Sequence, residues 1–423
     1  MGTFVVLFTL AFQSCPRKKV RTFDPYTLRS ECLRDSSADY IYTPRYAHNF
    51  CIVREDGEKI LYLRNPVTET ETKHAVKKAN RVICLSSTHV AFLDVLNETN
   101  SIVGVSGLQY IYNKRRLKAK DIGYESGIDY EALLQLNPDV VFAYDIPGQA
   151  AEYLEKIREL GLNVIEIPEH LEEHPLGRAE FLVAFATFFN KEEQAAEIFS
   201  FILQAYEDFR TLALQAATLA HKSGARPSPG PSNGTHHSSS TDSSLITRHT
   251  SPTDSSLITR HPSPTDSSLS TSSAWKKCGI PPVKVLINAP FKDIWYIPGT
   301  ESHQNIFVED AGGVLLGTKP GSKTAVISTE QAYLYALEAD FWIHPNQYSS
   351  LSELLQTDPR FAEVPVCESK QVWNNNRRTT TAQGSDYYES GVVNPHLILA
   401  DLIAIFYPNA IPNHKFTYYR QLR

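Results

Sequence analysis

The apolar positions of this chain fall into short runs, separated by stretches that repeat at helical spacing. Arg81-Val82-Ile83-Cys84-Leu85 is a run of the kind that forms a buried strand. Ser86-Ser87-Thr88 follow as capping residues, and Ala91, Leu93 and Leu96 continue at helical steps. Ile102 to Val105, Val140 to Tyr144 and Val164 to Ile167 are further strands. Between them, Tyr130 to Leu136 reads as a helix stopped by Asn137-Pro138, and Gln149 to Leu160 as a helix closed by Gly161. Strands alternating with helices predict a parallel sheet covered on both faces.

The same alternation returns later in the chain. Strands are expected at Val283 to Ile287, Ala325 to Ile327, Phe341 to His344 and Gln371 to Trp373. Helices are expected near His303 to Asp310, at Thr329 to Leu337 and at Pro395 to Phe406. Between the two halves a helical stretch runs from Arg178 to about Ala220, with a break near Asn190. Beyond the break, Phe199, Ile202, Leu203, Tyr206, Phe209 and Ala213 recur at three- and four-residue steps, the mark of one long amphipathic strut. Ahead of the first half, Phe50-Cys51-Ile52-Val53 and Ile60-Leu61-Tyr62-Leu63 flank Asp56-Gly57 and predict a hairpin. The fold class is therefore α/β: two Rossmann-like lobes joined by a single long helix, with a ligand cleft between the lobes. Expected boundaries are 1–24 for a signal and tether, 25–80 for an N-terminal extension, 81–178 for the first lobe, 179–221 for the connecting helix and 277–423 for the second lobe.

Residues 222–276 break the pattern. Ser, Thr, Pro and His dominate, and TDSSLITRH occurs at Thr241 and again at Thr253, with TDSSLS at Thr265. A 12-residue unit of this kind buries too little apolar surface to offset its ordering entropy. It reads as a disordered insertion, and His236, His237, His249 and His261 within it are a weak candidate for collecting metal.

The composition narrows the function. The chain has 423 residues, 42% hydrophobic and 21% charged, with a net charge of −6, which argues against a nucleic-acid partner. No stretch after residue 13 approaches the length of a membrane span. Of the six cysteines, none is in CxxC spacing. Cys15 stands apart: it follows the mostly apolar run Thr3 to Phe12 and then Gln13-Ser14, and it precedes Pro16-Arg17-Lys18-Lys19. This is the layout of an export signal ending at a lipidated cysteine, although the basic residues that normally open a signal are missing and Phe12 stands where Leu is usual.

Catalytic signatures are absent: the chain has no GxSxG, HExxH or GxGxxG. Gly317 to Thr324 approaches a phosphate loop, but Ser322 replaces the Gly required before Lys323, and Ala325-Val326-Ile327 favours a strand where a helix should open. Asn97-Glu98-Thr99 and Asn233-Gly234-Thr235 match glycosylation sequons by chance in a chain with a bacterial lipoprotein signal. Aromatic residues are the better lead. Tyr110 and Tyr112 follow the second strand, and Trp295 and Tyr296 follow the first strand of the second half, so both pairs are expected at the mouth of the cleft. His89 opens the first helix beside the same crevice, and Arg377 lies in the amide- and guanidinium-rich run Asn374 to Arg378, suited to a polar or anionic ligand.

These runs also carry a family resemblance. Arg81-Val-Ile-Cys-Leu-Ser-Ser-Thr-His89, Ile102-Val-Gly-Val-Ser106 and Ile128-Asp-Tyr-Glu-Ala-Leu-Leu-Gln-Leu-Asn-Pro-Asp-Val-Val141 resemble the first lobe of the substrate-binding proteins of ABC importers for ferric siderophores, haem and cobalamin. Asp310-Ala-Gly-Gly313, Ile327-Ser-Thr-Glu-Gln331 and Asp358-Pro-Arg-Phe361 are similar to the second lobe. Val372-Trp-Asn-Asn-Asn376 and Asp386-Tyr-Tyr-Glu-Ser-Gly-Val-Val393 look like the branch found in Bacteroidota. The resemblance implies a monomeric binding protein that performs no chemistry, needs no cofactor or resident metal, and carries an iron chelate, haem or cobalamin to a permease and its ATPase. It further implies that Glu131 and Glu330, one on each lobe, dock the permease, and that Cys15 anchors the protein to the membrane in the periplasm. Two other readings remain open at this point: an adhesive surface lipoprotein acting through the repeat tract, and a chelatase-like enzyme on the same frame.

Overall fold

A computed structural model of the chain describes residues 39–124, 127–144, 151–224, 279–292 and 294–423. Cys15, the signal run, the repeat insertion and its histidines lie outside the described residues, as does the start of the helix expected from Gln149.

The first lobe is a five-stranded parallel sheet in the order Lys120–Asp121, Ile102–Val105, Val82–Cys84, Val140–Ala143, Val164–Glu166. Its central strands are buried throughout, which explains why they read as continuous apolar runs. The second lobe has the order Gly313–Leu315, Val283–Ile287, Phe341–Ile343, Val372–Asn374, all parallel, with Arg420–Gln421 added antiparallel at the edge. A separate two-stranded ribbon pairs Trp295–Ile297 with Ala325–Ile327.

The helices Pro175–Ala186 and Glu192–Lys222 join the lobes. Between them, Asn190 adopts φ 54°, a left-handed conformation that Asn tolerates and that ends the first helix. The second is the strut. Its 31 residues span roughly 46 Å at 1.5 Å per residue. Ala195 packs into the first lobe's core, whereas Phe199, Ile202, Tyr206, Ala213 and Ala217 pack into the second's. Tyr206 donates to Asp310 Oδ2 at 2.7 Å, and Arg210 Nε lies 3.1 Å from Asp310 Oδ1, so the strut is pinned to the second lobe by polar contacts as well.

The expected hairpin forms the centre of a four-stranded antiparallel sheet, Asp39–Tyr42, Phe50–Glu55, Glu58–Asn65 and Thr70–Ala75. Asp56 and Gly57 both have positive φ, as a two-residue hairpin turn requires. Two buried carboxylates tie this sheet to the first lobe. Glu180 accepts from the Tyr42 hydroxyl and from the backbone N–H groups of Arg45, Tyr46 and Ala47, and Glu172 accepts from the N–H groups of His48 and Asn49.

Candidate functional site

Each lobe carries a parallel sheet, and open α/β sheets hold ligands beyond the carboxyl ends of their strands. The segments that follow those strands carry exposed aromatic side chains. Tyr124 follows the edge strand of the first lobe, and its ring lies 5.2 Å from that of Tyr110, tilted by 58°. Phe291, Ile294 and Tyr296 follow Val283–Ile287, and Tyr388 lies in the loop after Val372–Asn374. Tyr124, Phe291, Ile294, Tyr296 and Tyr388 all keep large exposed surfaces. Exposed aromatic surface is suited to covering a flat, apolar or conjugated ligand.

Of the residues expected at the mouth, Tyr110 closes the turn Leu108–Tyr110, Tyr112 follows it beneath Arg378, and Tyr296 lies on the strand Trp295–Ile297 with part of its ring exposed. Trp295 is instead buried at 1% exposure, its indole N–H donates to the Ile287 carbonyl at 2.9 Å, and it packs on Trp342 and Phe361. The reason is local: 295 and 296 are consecutive on a strand, so their side chains point to opposite faces and only Tyr296 emerges. His89 is likewise fully enclosed, within 5.3 Å of the Phe185 ring and 6.4 Å of Phe142 and Tyr144. Arg377 is exposed, but it lines a groove on the outer edge of the second lobe with Phe416 and Arg420. Glu131 and Glu330 sit exposed in the first turns of Tyr130–Leu136 and Thr329–Glu338, one on each lobe.

A polar cluster that the sequence did not disclose lies below the aromatics. Glu169 is buried. It accepts from the Thr88 hydroxyl at 2.9 Å, and its Oε2 lies 3.9 Å from His89 Nε2 and from His170 Nδ1. Burial opposes its ionisation, yet bonding and charge from His170 and His89 outweigh that and hold the carboxyl well below its usual range. Arg178, from the helix before the strut, reaches across the seam to within 3.3 Å of His303 Nε2 in the second lobe. Its Nε is buried without a hydrogen-bond partner. Burial and the Arg178 charge push His303 far below the usual imidazole range. The seam between Arg178, His303, Tyr387 and Tyr388 encloses about 20 Å3, room for one water.

A clasp joins the two lobes. The loop from Arg378 to Glu389 leaves the second lobe and lies on residues 110–113 of the first. Glu389 accepts the N–H groups of Tyr112 at 2.7 Å and Asn113 at 2.8 Å, and Asp386 accepts from Asn113 Nδ2 at 2.9 Å. Arg378 pairs with Asp386 at 2.8 Å and covers the Tyr112 ring at 5.0 Å. Burial pushes the Glu389 carboxyl up to about 7 despite its two donors, and burial raises Asp386 as well. A folded-state value raised from 4.5 to about 7 means that the Glu389 contribution is complete below pH 4.5 and is lost as pH rises through about 7. Raising the pH from 5 to 8 is therefore expected to cost the clasp roughly 2–3 kcal/mol. Glu389→Gln should flatten that part of the pH–stability curve. Identical slopes in the variant and the parent would contradict this.

The arrangement offers rings, donors and acceptors rather than an activated nucleophile. Among the described residues no group of three or more His, Cys, Asp or Glu is gathered as a metal site, and no helix is long and apolar enough to cross a membrane. Burial pushes the thiol of Cys367 up to about 12 and that of Cys84 higher still.

Comparison with known proteins agrees with this geometry. Residues 82–222 match the family model described as periplasmic binding protein. A possible iron-binding (periplasmic solute-binding) protein from Staphylococcus epidermidis has the same fold at 15% identity, with a TM-score of 0.51 over 78% of this chain and 100% of its own. A periplasmic heme-binding protein from Pseudomonas aeruginosa is also 15% identical, with a TM-score of 0.52 over 82% of this chain and 98% of its own. An uncharacterized lipoprotein of Methanocaldococcus jannaschii is 23% identical over 352 residues, 79% of this chain and 67% of the relative. The chain thus shares the fold of these periplasmic solute- and heme-binding proteins, two α/β lobes on a strut. The first lobe and strut carry the family match, and the resemblance read from the sequence stands.

Proposed function

We propose that this protein is the solute-binding component of an ABC importer, capturing a metal chelate between its lobes and presenting it to the permease and its ATPase. The observation that carries the reading is a pair of α/β lobes held by one strut and one clasp, with exposed aromatic side chains on the segments that follow their strands. A ferric siderophore, haem and cobalamin all present the broad conjugated or apolar faces that Tyr110, Tyr124, Phe291 and Tyr296 would cover. Iron and heme ligands are named for the two structural neighbours, which supports the same ligand class here. Glu131 and Glu330 stand exposed on separate lobes and suit a basic docking surface, where charge contributes orientation and on-rate more than affinity. Cys15 would carry the lipid that holds the protein on the periplasmic side of a membrane, in keeping with the lipoprotein relative.

The test is a titration of the purified chain with haemin, cyanocobalamin, a ferric catecholate and a ferric trihydroxamate, followed by absorbance and intrinsic fluorescence. One of the four should saturate at one equivalent with Kd on the order of 1 μM or below. Absence of saturable binding by all four would overturn the chelate reading.

A further inference from the structure

The outer edge of the second lobe carries a groove that the crevice does not account for. It runs beside the pair Val372–Asn374 and Arg420–Gln421 and encloses about 760 Å3. A shallow opening that shares Arg377, Phe416 and Arg420 with the groove is lined by these three and by Arg378, Lys415 and Thr417, with no carboxylate among them. Arg378 is matched by Asp386. Arg420 gives its Nε to the neutral Asn376 Oδ1 at 2.7 Å and so keeps its charge. Arg377 and Lys415 are exposed and enter no ion pair among the described residues. Three positive charges therefore share one opening without a counter-charge.

The fold holds them there. Asp401, fully buried, accepts from His414 Nε2 at 2.6 Å and from the backbone N–H groups of Thr417, Tyr418 and Tyr419. That carboxylate fixes the segment presenting Lys415 and Phe416. The Arg377 N–H donates to the Tyr418 carbonyl at 3.1 Å and fixes the other side. Holding like charges together opposes stability unless an anion joins them. Deeper in the groove, Trp373 and Phe416 place their rings 4.9 Å apart, and the Trp373 indole N–H is buried with no hydrogen-bond partner. Trp373 lines the groove, and because buried donors are normally satisfied, its unpaired N–H has capacity for an acceptor.

We propose that this groove binds an oxyanion carried on a polar ring, in particular a phosphorylated sugar. Arg377, Lys415 and Arg420 grip the phosphate, with the arginine forks matching its oxygens. Trp373 and Phe416 carry the ring. Two sources share this chemistry: a free sugar phosphate, or the phosphate of a membrane lipid head group. The site is separate from the crevice and does not depend on the cargo reading.

The experiment uses the full chain, the double variant Arg377→Ser/Lys415→Ser and the variant Trp373→Phe. Calorimetry with glucose 6-phosphate and inorganic phosphate covers the soluble source. Co-sedimentation with phosphatidylglycerol vesicles, against phosphatidylcholine vesicles, covers the lipid source. The parent is expected to bind glucose 6-phosphate, at least tenfold more weakly in the double variant and several-fold more weakly in Trp373→Phe. Binding to the phosphatidylglycerol vesicles alone, lost in the double variant, would support the site and assign its anion to a membrane surface. No binding to any of these anions, or binding equal in parent and double variant, would overturn the proposal.

Discussion

Gly384→Ala is expected to open the clasp. A Cβ at this position would fall 1.9 Å from the Tyr110 carbonyl oxygen and 2.5 Å from its carbon. Both are backbone atoms of the opposite lobe, so no side-chain rotation relieves the clash. The loop must lift, and the acceptors on Glu389 and Asp386 then part from Tyr112 and Asn113. Overpacking of this kind costs about 2–3 kcal/mol, concentrated on the contact between lobes. Hydrogen exchange should accelerate at residues 108–113 and 378–391, while Val82–Cys84 and Val283–Ile287 keep their protection. Unchanged exchange at the clasp would show that the lobes do not meet there in solution.

Glu180→Ala is expected to release the N-terminal sheet. Glu180 is fully buried, and four donors from residues 42–47 converge on its two oxygens at 2.7 to 2.9 Å. Burial raises its pKa even so, which shows how little water reaches it. Removing the carboxylate strands three backbone N–H groups and a hydroxyl. Each orphaned buried donor costs about 1–3 kcal/mol, and water entering the cavity recovers part, leaving a loss of roughly 3 kcal/mol or more. Chemical denaturation gives the total. Faster exchange in Phe50–Glu55 and Glu58–Asn65 than in the first lobe would locate it. A loss below about 1 kcal/mol would mean that the sheet is held by its apolar face, Phe50, Ile52, Leu61 and Leu63, and not by the carboxylate.

The two lobes were legible because their central strands are buried on both faces. Val140–Ala143 and Val283–Ile287 read as apolar runs for that reason, and Ser86, Ser302 and Ser328 cap the helices where the pattern places their starts. Thr70–Ala75 was not legible: Thr-Glu-Thr-Lys-His-Ala has almost no apolar residue, and it becomes a strand only because it pairs with Glu58–Asn65. Gly313–Leu315 is three residues long and follows a helix directly, too short to show a period. At the site, the sequence carried the aromatics but not the contacts. Trp295 and Tyr296 look alike as neighbours in a chain, and only the strand sends one inward. The meeting of Glu389 with Tyr112 joins residues 277 apart, and that of Arg178 with His303 joins residues 125 apart. No local pattern encodes such pairs.

The central claim is that cargo is held between the lobes. The most direct measurement is hydrogen exchange of the full chain with and without the chelate that saturates it. The account predicts simultaneous protection of the first-lobe segment 106–113 and the second-lobe segment 288–297. Protection confined to one lobe, or to the repeat insertion at 222–276, would contradict it.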